Sequence, residues 1–215
     1  MSQIVNFLAI TASIFMGVSI GASSVAPAFG PVNSSGSTNV LRAALLAGIF
    51  ALIGSVFQGQ NVANTIGSGI LGEELILIQG VIILFVASAL VIASVLTDYP
   101  MPTAFTVVGS VIGSALAFSN SVNIAVMQKI VLYWIGVPFA ALVLSYLVAK
   151  FLRKAIPEEG SERVTRYLLL ISGSYMAYTA GAGSVGLAVG PLSTMNISSH
   201  VLLWIGGLSI LSGAW

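Results

Sequence analysis

The chain has 215 residues, of which 57% are hydrophobic and only 6% charged, with a net charge of +1 and no cysteine. A water-facing surface draws on roughly a quarter charged residues, so a soluble globular domain is excluded. The near-zero net charge leaves no basic field for nucleic acid, and the missing cysteines remove disulfides, thiolate metal sites and a cysteine nucleophile.

A helix needs about 20 mostly apolar residues to cross the hydrocarbon core, because its backbone polar groups must be satisfied internally there. The N-terminus, MSQIVNFLAITASIFMG, lacks a basic region and a small-residue cleavage site, so it is expected to be the first span rather than a removed signal. Seven stretches qualify as candidate spans: 4–22, 40–57, 75–97, 102–118, 128–150, 164–182 and 200–215. Gln58, Gln60, Asn61 and Asn64 form a polar cluster after the second, read equally well as a vestibule lining or a solvated turn. Asp98 closes the third and is assigned to a loop; Pro100 and Pro102 precede the short, Gly/Ser-rich fourth, which either spans or re-enters. His200, the single histidine, opens the last span and is assigned to the membrane interface.

Five of the seven basic residues, Lys150, Arg153, Lys154, Arg163 and Arg166, fall between 150 and 166, together with Glu158, Glu159 and Glu162. Loops rich in Lys and Arg stay cytoplasmic. Placing 151–163 inside puts the N-terminus outside, Arg42 inside, and Glu73 with Glu74 outside; Lys129 alone falls on the wrong side. The expected organisation is a first repeat with its following helices over 1–150, a cytoplasmic loop over 151–163, and a second, incomplete repeat over 164–215 in a cell-membrane protein.

GASSVAPAFGPV at 21–32 returns as GAGSVGLAVGPL at 181–192, with seven of twelve positions identical at an offset of 160. Met16 and Met176 match at the same offset. An odd number of spans between the copies turns the second upside down, so the fold class expected is an all-helical membrane bundle with an inverted-topology repeat and discontinuous helices. Secondary transporters place substrate at such a repeat interface, where broken helices aim their N-termini at an anion. Pro27, Pro31 and Pro191 are suited to interrupt each copy, and Ser supplies hydroxyl donors. The competing reading, close helix packing through small residues, is preferred for the pairs Gly17 with Gly21 and Gly109 with Gly113.

These residues resemble the inorganic phosphate transporter family of phosphate and sulfate permeases, with its duplicated GANDVANA-type motif. LRAALLAGIF at 41–50, PMPTAFTVVGSVIG at 100–113 and WIGVPFAALVLSYLVAKFLRK at 134–154 are similar to the family's downstream segments. The resemblance implies secondary transport of phosphate by alternating access, coupled to sodium or protons, with Gly21, Ser23, Ser24, Thr103, Gly181 and Ser184 as substrate-binding residues. Where the family motif carries Asn-Asp, this chain has Ser23-Ser24 and Gly183-Ser184, so both motif carboxylates are missing. That loss weakens the case for sodium and suits sulfate, which needs donors only. The other class of function considered is a non-transporting assembly or sensory subunit; a homodimer is compatible with either. Enzymatic function is not expected, because no paired carboxylates, metal-ligand cluster or activated nucleophile stands out.

Overall fold

The computed structural model describes residues 2–36, 38–73, 75–99, 101–155 and 161–215, and every regular element among them is helical. In chain order these are α1 (Ser2–Ile20), a π-turn (Gly21–Val25), a 3-10 turn (Ala26–Phe29), α2 (Gly30–Ser34), α3 (Val40–Gln58), α4 (Gln60–Asn64) and a second π-turn (Thr65–Gly69). There follow α5 (Leu77–Leu96), α6 (Thr103–Phe118), α7 (Ile124–Ala155), α8 (Ser161–Val189), a 3-10 turn (Gly190–Leu192) and α9 (Ser199–Ala214).

Glycine sets the helix crossings. A Cβ on Gly54 would collide with the Tyr178 carbonyl oxygen, and one on Gly181 with that of Ala51, so α3 and α8 meet backbone to backbone. The Ser55 hydroxyl donates to the Gly181 carbonyl across the same crossing at 3.2 Å. In the same way Gly213 of α9 sits on the Val18 carbonyl of α1, and Gly17 lies against Ser209. Small residues permit this approach, which replaces the hydrophobic driving force that lipid does not supply between helices. On its other side α1 packs on α5, where the Phe15 and Phe85 rings lie 6.5 Å apart and the Ser88 hydroxyl reaches the Met16 sulfur at 3.3 Å.

Four of the helical stretches are long and apolar enough to cross a membrane: Gln3–Ser34, Val40–Gln58, Leu77–Leu96 and Ile124–Ala155. The other three expected spans are helical but differ in kind. At 16 residues α6 reaches only about 24 Å, short of the ~30 Å hydrocarbon core, and α9 is helical over Ser199–Ala214. The Gly, Ser, Thr and Tyr content of the 29-residue α8 lowers its hydropathy.

The helix ends do not coincide with the bounds of the expected loop at 151–163: α7 runs to Ala155 and α8 starts at Ser161, while Glu158 and Glu159 lie outside the described residues, as do Glu74 and Pro100. Arg153 and Lys154 end α7 and Glu162 begins α8, each with the sign that complements its helix dipole. Nor do the two motif copies break alike. The first widens into the π-turn, closed by the Ala26 N–H on the Gly21 carbonyl, then tightens into the 3-10 turn around Pro27, leaving the right-handed helical region at Phe29 (φ −98°, ψ 7°). The second stays regular through Val189, because Leu187 stands where the first copy has Pro27, and yields only at Pro191.

Candidate functional site

The first motif copy and the short helix α6 meet through a row of hydroxyls. Ser24 Oγ lies 2.8 Å from Thr103 Oγ1, and Ser23 Oγ lies 3.2 Å from Ser24 Oγ. Thr103 is the first residue of α6, after Pro102 in extended conformation. The first intrahelical bond here runs from the Thr106 N–H to the Pro102 carbonyl at 3.1 Å, so the N–H groups of Thr103, Ala104 and Phe105 precede the ladder. A helix end of this kind carries about half a positive charge and binds anions through those donors. The electropositive tip beside the first motif thus belongs to α6, a helix outside the repeat, where the sequence reading assigned it to the motif helices themselves.

Two cavities share Thr103. The first, of about 500 Å³, is lined by Ser23, Ser24, Ser94, Asp98, Tyr99 and Thr103 among others. The second, of about 400 Å³, is lined by Thr103 together with Thr65, Thr179, Gly183, Ser184 and Trp134. The second motif contributes Ser184, half-buried, to a space that is also lined by Thr103, the hydroxyl partner of Ser24 in the first motif. A third cavity, of about 560 Å³, holds Gln58, Gln60 and Asn61 and shares Val62 and Gly183 with the second. Three of the four polar residues at 58–64 thus line a cavity, and Asn64 accepts from Gln60 Nε2 at 2.8 Å beside it. Asp98, Ser24, Thr103, Ser184 and Gln60 follow one another along three adjoining cavities.

Of the expected site residues, Ser23, Ser24, Thr103 and Ser184 line these cavities, whereas Gly21 and Gly181 do not. Both glycines are buried at helix crossings, Gly21 against the Ile210 carbonyl and Gly181 against that of Ala51, where a side chain has no room. Their backbones serve packing. The reverse holds for Gly109 and Gly113, expected to pack: nothing lies within 4 Å of a Cβ built on either, and both face an open apolar cavity between α5 and α6. His200 is exposed at the start of α9, as an interfacial residue would be.

Thr65 and Trp134 also line the second cavity, although sequence reasoning assigned neither to the site and read Trp134 as a membrane-interface anchor. Thr65 opens the second π-turn, closed by the Ile70 N–H on the Thr65 carbonyl at 3.0 Å, so a π-turn adjoins each of the two cavities. Such turns recur at functional sites. The Trp134 ring lies 3.9 Å from that of Phe105, at 41°; Trp134 lines the second cavity and Phe105 the apolar cavity between α5 and α6, so the pair stands between the two. The signal available was Phe105 itself, an aromatic residue at the third position of a helix that begins at a polar site.

Known proteins share this pattern. The model of the phosphate transporter family matches residues 20–161. The sulfate permease CysP of Bacillus subtilis is 34% identical over 191 residues, 86% of this chain and 53% of that protein. The chloroplastic inorganic phosphate transporter 2-1 of Arabidopsis thaliana is 25% identical over 205 residues, 89% of this chain and 34% of the relative. The chain thus spans about half the length of the first of these and a third of the second. Among solved structures, a sodium-dependent phosphate transporter superposes with a TM-score of 0.83 at 20% identity, over 97% of this chain and 74% of the other, a likeness of fold. With its duplicated motif, apolar helices and matched family model, this multi-pass membrane chain belongs to the phosphate transporter family.

Proposed function

We propose that this chain carries the oxyanion site of a secondary transporter that moves inorganic phosphate across the membrane by alternating access. The observation that carries the reading is the Ser24–Thr103 hydroxyl contact at the α6 N-terminus, with Ser184 across the adjoining cavity. Ser23, Ser24, Thr103 and Ser184 offer hydroxyl donors, and the free N–H groups of α6 offer a partial positive charge, so a tetrahedral oxyanion is held without a cationic side chain. The three adjoining cavities give it a route, with Asp98 toward the cytoplasm and Gln60 toward the outside.

Sulfate is the second reading, favoured by the sulfate permease relative and by motif copies that hold hydroxyls where carboxylates are expected. The coupling ion is sodium or a proton. A hard cation accepts carbonyl and hydroxyl oxygens, and it has lost the two motif carboxylates here.

Uptake of labelled phosphate and sulfate into proteoliposomes holding the full-length protein tests the reading, with sodium and pH gradients imposed in turn. Saturable uptake of one anion, driven by one gradient, is the expected result. Uptake of neither, with normal insertion, supports the non-transporting subunit instead.

A further inference from the structure

Asp98 closes the third span in a left-handed turn, a conformation that Asp and Asn adopt more readily than other side chains. It follows α5 in the left-handed region, φ 54°, with the Thr97 N–H on the Ala93 carbonyl at 3.0 Å and the Tyr99 N–H on the Ser94 carbonyl at 3.1 Å. That bonding is the closing turn of a helix whose following residue is most often glycine, because a side chain is disfavoured there. The same residue lines the cavity of Ser23, Ser24 and Thr103, and it is the one ionisable carboxylate among that cavity's described lining residues, where no Lys or Arg is found.

A carboxylate facing an anion site discriminates by protonation. Hydrogen phosphate and dihydrogen phosphate carry a P–OH that donates to a carboxylate oxygen, so the hydrogen bond offsets the repulsion. Sulfate is fully deprotonated near neutral pH and has no proton to give, so the carboxylate meets it with repulsion and an unmade hydrogen bond. Rejection of the wrong ligand by an unpaired group is a general route to specificity, and it is strongest when the site is built around a substrate hydroxyl.

We infer that Asp98 is a specificity-determining residue of this site, accepting a hydrogen bond from protonated phosphate and disfavouring sulfate. It replaces in effect, from the end of α5, the acceptor that the two motif copies lack. The inference rests on the oxyanion site proposed above.

The test is a competition assay on the full-length protein in proteoliposomes, with phosphate and sulfate each labelled in turn and the other added unlabelled. The reading is the ratio of the two apparent constants, which does not depend on how much protein has folded. Wild type is expected to prefer phosphate by at least about tenfold. Asp98→Asn, whose side chain tolerates the left-handed region, should bring the ratio within about threefold of unity, weakening phosphate and strengthening sulfate. Asp98→Gly should shift the ratio equally while raising the melting temperature, since glycine suits the turn. An unchanged ratio in both variants, or a wild type that prefers sulfate while Asp98 is intact, overturns the role of Asp98 and leaves the transporter reading standing. Transport of neither anion by wild type fells both.

Discussion

Ser24 and Thr103 are 79 residues apart in sequence, yet their hydroxyl oxygens lie 2.8 Å apart, tying the first motif copy to the N-terminus of α6. Each hydroxyl has one proton, so one donates to the other and a proton is left over to reach a ligand. A bound oxyanion would accept it. Hydrogen bonds to a charged group contribute about 1.5–3 kcal/mol. Ser24→Ala or Thr103→Ala should therefore raise the apparent transport constant about 10- to 100-fold, and the double variant should fall short of the product because the two groups act together. Independent, multiplying effects in a kinetic double-mutant cycle contradict the shared site.

Glycine positions separate packing from site. Gly181→Ala forces a Cβ into the Ala51 carbonyl, and Gly54→Ala forces one into that of Tyr178. Overpacking of this sort costs about 1–3 kcal/mol, or a melting temperature lower by several degrees for a chain of this size. Gly109→Ala has open space around it and gains about 0.5–1 kcal/mol of helix propensity. Thermal melts in detergent should show opposite signs; a Gly181→Ala protein as stable as wild type contradicts the crossing.

The buried amide chain at the opposite end of α6 makes a third test. Gln79 Nε2 donates to Asn120 Oδ1 at 2.8 Å, Asn120 Nδ2 donates to Glu73 Oε1 at 2.9 Å, and Gln79 is fully buried. Asn120→Ala strands the Gln79 donors, at a cost of about 1–3 kcal/mol. Gln79→Leu combined with Asn120→Ala removes donor and acceptor together and should recover part of that loss. Denaturation midpoints that fall further in the double variant contradict the pairing.

The aromatic pair gives a fourth. Trp134 is half-buried and packs tilted against Phe105, while no residue of α7 is fully buried. Trp134→Ala removes a contact of about 0.5–1.5 kcal/mol beyond its area and opens the second cavity sideways. A cysteine placed at Ala104 should then react faster with a thiol reagent than it does with Trp134 intact; equal rates contradict the wall.

Membrane class, helix positions and the duplicated motif were legible in the sequence because each rests on composition or on a register that hydrophobicity alone does not produce. That Ser24 and Ser184 would lie beside cavities followed from the repeat register, and that Thr103 would join them followed from the family resemblance. The functions of Gly21 and Gly181 were not, since a glycine that lets a backbone approach a ligand and one that lets it approach a helix look alike until the neighbour is seen. The Ile210 and Ala51 carbonyls decide it. Asp98 was rightly placed in a loop, but its place beside the cavity that Ser24 also lines depends on how α5 ends, which periodicity does not encode. The regularity of the second copy was in principle readable, because Leu187 replaces Pro27, yet the shared Gly-Pro made the copies look equally broken.

The central claim is that both motif copies and the α6 N-terminus border one route for an anion. The chain has no cysteine, so single substitutions report without interference. The most direct measurement places cysteine in turn at Asp98, Ser24, Ser184 and Gln60 and follows labelling by a membrane-impermeant thiol reagent from each face, with and without phosphate or sulfate. The account predicts labelling of Asp98→Cys from the cytoplasmic face and of Gln60→Cys from the outer face, with Ser24→Cys and Ser184→Cys both protected by the same transported anion. Protection of one serine position without the other, or of neither by either anion, contradicts it.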